Sequence, residues 1–100
     1  MKRIRDIILK NPGEEFVVHT QNKEEFEALI DVLEDMGFKY AIPLNSLRKI
    51  AEKFARKDGY DGCWRISESR GIAYNKSVKH WKRYYSDILE IKDGKIVFIE

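Results

Sequence analysis

Cysteine is nearly absent from this chain. Cys63 is the only one, so an intrachain disulfide is excluded. Long apolar runs are absent too, so no membrane-spanning helix is expected. The first residues, MKRIRDIILKNPGEE, are basic and then apolar. Their apolar stretch is only Ile7-Ile8-Leu9, and no small-residue cleavage site follows, so the segment does not read as a secretory signal. These absences together point to a cytoplasmic protein.

The common signatures of chemistry are missing as well. There is no P-loop and no G-x-G-x-x-G, hence no glycine-rich phosphate cradle. The serines lack a nucleophile elbow. His19, His80 and Cys63 lie far apart and show neither C-x-x-C nor H-x-x-x-H spacing, so no metal and no cofactor is expected. Cys63, between Gly62 and Trp64 at the start of a β-rich run, reads as a small buried hydrophobe with no activating base in view. Carboxylates are plentiful over 22–36, but their spacing is that of a solvated helix surface rather than of an acid–base pair. A non-enzymatic protein is therefore expected.

What is present fits one folded domain. One hundred residues suffice to bury about 60–70% of the unfolded surface without a staple. With 43% hydrophobic and 36% charged residues the chain is globular rather than disordered. The net charge of +2 conceals a segregation. Residues 14–35 hold eight acids and one lysine; residues 36–58 hold six bases and two acids; residues 59–87 hold six bases and three acids. Either the surface is dipolar, or two helix faces complement one another.

The pattern of residues predicts the elements. Residues 1–13 read as a short helix closed by Asn11-Pro12-Gly13. "EFVVHT" (15–20) reads as a strand. The stretch 22–36 is a helix: Asn22 caps it, Glu25 completes a capping box, and Phe26, Leu29, Ile30 and Leu33 form an apolar stripe up to the stop at Gly37. "FKYAI" (38–42) reads as a returning strand, parallel to the first across a crossover. A basic helix over 46–57, opening at Asn45 or Ser46, buries Leu47, Ile50, Ala51 and Phe54 and fans out Arg48, Lys49, Lys53, Arg56 and Lys57. "CWRIS" (63–67) and "GIAYN" (71–75) form a hairpin, with Gly71 where a left-handed residue is wanted. "KSVKHWKRYY" gives one to two helical turns. "DILEIKDGKIVFIE" is a hairpin turning at Asp93-Gly94, in the register that pairs Lys92 with Lys95, Ile91 with Ile96 and Leu89 with Phe98. The fold class is α+β: a single domain with a mixed, mostly antiparallel sheet and helices packed on one face. It comprises a short N-terminal helix and turn (1–13), a β-α-β-α half (14–58) and a β-hairpin-rich half (59–100).

"FVVHTQNKEEFEALIDVLEDMGFKYA" followed by "GCWRI" and "GIAYNKSVKHWKRYYSDILEI" resembles a loose type of small protein common in phages and prophages of Gram-positive bacteria. That type has a strand ending in a His- or Cys-Thr-like step and an acidic helix stopped by Gly-aromatic. A Cys-aromatic strand, a Gly-x-x-Tyr strand and an aromatic-bearing turn follow. The likeness covers roughly residues 14–91, and the basic helix is an addition to it. Small phage proteins of this size class include inhibitors of host defence and sponges for signalling nucleotides. The resemblance thus implies a binder and supplies no catalytic residue.

The densest binding signal is KHWKRYYSD (79–87). If Ser77 caps this turn, Val78, Trp81 and Tyr85 share a buried face, while Lys79, Lys82, Arg83, His80 and Tyr84 lie elsewhere. Aromatics among cations suit base stacking, phosphate contact and protein interfaces alike. Three functions follow. In the first, a phage-type accessory protein counters a host defence by binding a host protein or its nucleic-acid complex, with Glu24, Glu27, Asp31, Glu34 and Asp35 as an acidic face that mimics nucleic acid. In the second, Arg65, Arg70, Lys79, His80, Arg83 and Tyr84 sequester an anionic nucleotide, with a dimer interface as one location. In the third, the basic helix binds nucleic acid directly, though the pI of 8.6 is modest for that role.

Overall fold

The computed structural model of the chain describes residues 13–42, 46–85, 88–92 and 95–98, the last two segments by backbone pairing alone except at Ile88 and Leu89. The N-terminal helix expected over residues 1–13, the Asn45 alternative for the second helix start and the Asp93-Gly94 turn lie outside the described residues, apart from Gly13 itself.

Five strands form one mixed sheet: β1 (Phe16–Thr20), β2 (Gly62–Ser67), β3 (Gly71–Asn75), β4 (Ile88–Lys92) and β5 (Lys95–Phe98). Their spatial order is β3-β2-β1-β4-β5. β1 pairs parallel with β4, and the β1–β2, β2–β3 and β4–β5 pairings are antiparallel. The chain's two halves therefore interleave, since β1 runs between β2 and β4. The β4–β5 ladder has the register expected from its alternating residues, with Leu89 opposite Phe98, Ile91 opposite Ile96 and Lys92 opposite Lys95.

Helix α1 (Lys23–Asp35) starts as its sequence dictates. The Asn22 side chain accepts from the Glu25 amide at 2.9 Å, and the Glu25 carboxylate accepts from the Gln21 amide at 3.1 Å. It ends in a left-handed turn at Gly37 (φ 84°), where the Phe38 amide reaches back to the Leu33 carbonyl at 2.9 Å. Helix α2 (Leu47–Asp58) is capped by Ser46, whose hydroxyl accepts from the Lys49 amide. Both helices cover the sheet face carrying Val18, Trp64, Ile66, Ile72 and Leu89. Trp64 is the largest side chain there, and its indole N–H donates to the buried Thr20 hydroxyl at 3.3 Å. The one-turn helix α3 (Val78–Lys82) covers the opposite face, where Trp81 packs with Val17, Cys63 and Ile88. Covered from both sides, every residue of β2 is buried.

One expected strand is not formed. Residues 38–42 make only an isolated parallel bridge, Tyr40 to Ile72, closed by two hydrogen bonds of 2.8 Å. They run in the parallel sense expected, but along β3 at the edge of the sheet rather than beside β1. The place beside β1 goes to β4, whose Ile88 and Leu89 are buried. Lys39 and Ala41 are exposed, and Pro43 has no N–H to extend a ladder.

Candidate functional site

The face of the sheet beneath α3 carries an unusual residue. Arg65 stands in the middle of β2, between Val17 on β1 and Ala73 on β3, and is 8% exposed. Strand alternation leaves it no choice: Trp64 and Ile66 take the other face. Its Nη2 donates to the carbonyls of Arg70 and Gly71 at 3.3 and 3.4 Å. Its Nε is buried and has no partner among the described residues. Nor has the indole N–H of Trp81, which is 7% exposed on the same face. Buried donors are nearly always satisfied, because an unmade hydrogen bond forfeits the full cost of desolvation.

Beside Arg65 lies a second guanidinium. Arg70, in the β2–β3 turn, grips Glu15 through two hydrogen bonds, Nε to Oε2 at 2.7 Å and Nη2 to Oε1 at 2.9 Å. The Tyr85 hydroxyl, just beyond α3, donates to the same Oε1 at 2.7 Å. Arg70 and Tyr85 hold the Glu15 carboxyl down at about 2, against its ordinary 4.5. Burial, reinforced by the Glu15 hydrogen bond, raises the Tyr85 phenol, while the charges of Arg65 and Arg70 act to lower it. Both arginines therefore bear on one hydroxyl.

The turn that carries Arg70 also forms one wall of a cleft of about 480 Å³, whose other wall is residues 36–41. Ser67, Ser69 and Lys39 line it with Arg70, and the Ser67 hydroxyl accepts from the Arg70 amide at 3.1 Å, fixing the turn. Such a volume lies within the range that small ligands fill.

Of the sequence-predicted residues, Arg65 and Arg70 come together in this cluster. Lys79, His80, Arg83 and Tyr84 lie on α3 and the turn after it; His80 and Tyr84 approach ring to ring at 5.6 Å, and Tyr84 is 69% exposed. Trp81 joins the two groups by packing on Tyr85 at 6.0 Å. Sequence reasoning missed Glu15. It is 55 residues from Arg70 and precedes the first strand, where nothing marks it as a partner.

The acidic face has a different fate. Arg48 of α2 donates to Glu27 at 2.7 Å and to Glu34 at 2.9 Å, and also bonds Asp31. Three of the five acids thus face an internal cation, whose own pKa is raised by them. Glu24 and Asp35 stand exposed at the two ends of α1. Elsewhere on α2, Lys49, Lys53, Arg56 and Lys57 are exposed.

His19 and Cys63, distant in sequence, are directly opposed across β1 and β2, and His19 Nε2 lies 2.7 Å from Asp61 Oδ1. Cys63 is fully buried within the apolar cluster of Trp81, as a packing residue would be. Among the described residues no three His, Cys, Asp or Glu side chains converge as a metal site, and no helix is long and apolar enough to cross a membrane. No protein-family model, curated protein or solved structure matches the chain.

Proposed function

We propose that this chain is a non-enzymatic binding protein that sequesters an anionic nucleotide at the Arg65–Arg70 cluster. The observation that carries the reading is Arg65: a guanidinium 8% exposed that, among the described residues, bonds neutral carbonyls alone and leaves Nε unpartnered. A buried charge without a counter-charge is costly, and an anionic ligand supplies both the charge and the acceptor. The cleft beside Arg70 has room for the body of such a ligand. The cations and Tyr84 around α3 add long-range attraction and a stacking surface.

The competing view, in which the acidic helix docks on a host protein, draws less support, since Arg48 pairs with Glu27, Asp31 and Glu34 and offsets part of their charge. In the phage setting that the resemblance implies, a nucleotide sequestrant would counter a host defence by removing its signal. The test is to extract small molecules from the protein purified out of a bacterial lysate and identify them by mass. A stoichiometric nucleotide supports the reading; a stoichiometric protein partner with no nucleotide contradicts it.

A further inference from the structure

We infer that Glu15 occupies the seat of the ligand's anionic group, and that this group is a phosphomonoester. The inference rests on the nucleotide-binding reading above and deepens it. The geometry around Glu15 is that of a bound anion: two parallel bonds from one guanidinium, at 2.7 and 2.9 Å, and a phenolic O–H at 2.7 Å. The carboxylate is the chain's own, supplied by the residue immediately before β1.

The charge count defines what replaces it. Two guanidiniums meet at this corner of the sheet, Arg70 on Glu15 and the buried Arg65 on the carbonyl of Arg70, while Glu15 brings a single negative charge. Arg65 spends its Nη2 on two carbonyls and keeps Nε unmatched among the described residues. A carboxylate has two oxygens, and both are already engaged by Arg70 and Tyr85. A phosphomonoester has three terminal oxygens and a charge of about −1.5 to −2 at neutral pH. It satisfies Arg70 as Glu15 does, and adds the oxygen and the charge that Arg65 lacks. Binding then proceeds by exchange: the phosphate takes the guanidinium and Glu15 swings to solvent, which lowers the apparent affinity by the cost of displacing it.

Calorimetric titration of the full chain tests this, with wild type, Glu15→Gln and Tyr85→Phe each titrated with adenosine 5′-monophosphate, a phosphoserine peptide and, as a monoanion control, acetate. Glu15→Gln is expected to tighten the phosphomonoester by about tenfold or more, since it removes a charge-assisted competitor. Tyr85→Phe keeps the ring and removes one bond to Glu15, so a smaller tightening is expected; it serves if Glu15→Gln does not fold. Acetate is expected to bind more weakly than either phosphate probe. A phosphomonoester that binds wild type and the folded variants equally, or the variants more weakly, overturns the exchange while the nucleotide reading stands. Absence of binding by every protein overturns both. Preference for the peptide over the mononucleotide keeps the seat but overturns a nucleotide as its source.

Discussion

Arg48 and Glu27 meet at 2.7 Å across the seam between α1 and α2, and the same guanidinium serves Asp31 and Glu34. The acidic and basic blocks of the sequence are thus partly spent on each other. Exposed pairs each contribute only about 0–1 kcal/mol, and salt screens them. Arg48→Met keeps the apolar stem and removes the charge. It is expected to cost about 1 kcal/mol at low salt and less at high salt, as read by denaturant midpoints. An unchanged midpoint at low salt would mean that the network adds nothing to stability.

Gly71 and Gly37 have similar positive φ, 78° and 84°, but different surroundings. A Cβ on Gly71 would stand 2.6 Å from the Lys39 carbonyl oxygen, whereas one on Gly37 would meet nothing within 4 Å. Gly37→Ala should cost about 1 kcal/mol, the strain of the left-handed backbone alone. Gly71→Ala adds a clash with backbone and should cost about 2–3 kcal/mol. Equal melting temperatures for the two variants would refute the close approach of residues 38–42 to β3.

Around α3 the split between anchor and surface predicts a contrast. Trp81 is 7% exposed and packs on Val17 and Ile88, so Trp81→Ala should destabilise the domain by about 3–5 kcal/mol. Lys79 and Arg83 are exposed, and their replacement by Ala should stay within about 0.5 kcal/mol. Thermal melts of the three variants check this.

Glu15 gives an acid dependence. Its folded pKa is depressed from 4.5 to about 2 by Arg70 and Tyr85. The folded state therefore prefers the ionised carboxylate more strongly than the unfolded chain does. The resulting stabilisation is complete above the unfolded value and is lost as the pH falls from about 4.5 toward 2. Denaturant midpoints of wild type should fall more steeply through that window than those of Glu15→Gln. Parallel curves would show that the ion pair contributes nothing.

Much of the scaffold was legible because its signals are local. Asn22 and Glu25 mark the start of α1 within four residues, and alternation around Asp93-Gly94 fixes the β4–β5 register. The 38–42 segment misled because a β-rich composition does not say whether a neighbour offers a full ladder; β3 offers one bridge. The candidate site was half legible. Arg65 and Arg70 stand out as bases in a β-rich half, but the partner that reveals them is 55 residues from Arg70. Arg48 likewise looked like one more surface base, because the acids it meets lie on another helix, 14 to 21 residues away. Contacts set by tertiary placement leave no periodicity to read.

The central claim is that Arg70, with Arg65 beneath it, forms an anion site. Arg70 is exposed, so Arg70→Ala spares the core and forfeits only the stabilisation that its pair with Glu15 provides. The decisive measurement is calorimetric titration of wild type and Arg70→Ala with adenosine 5′-monophosphate, with both melting temperatures recorded. The account predicts that wild type binds and that Arg70→Ala, lower-melting than wild type but folded at the titration temperature, binds about tenfold to a hundredfold more weakly. Equal affinity in the two proteins, or no binding by wild type, would contradict it.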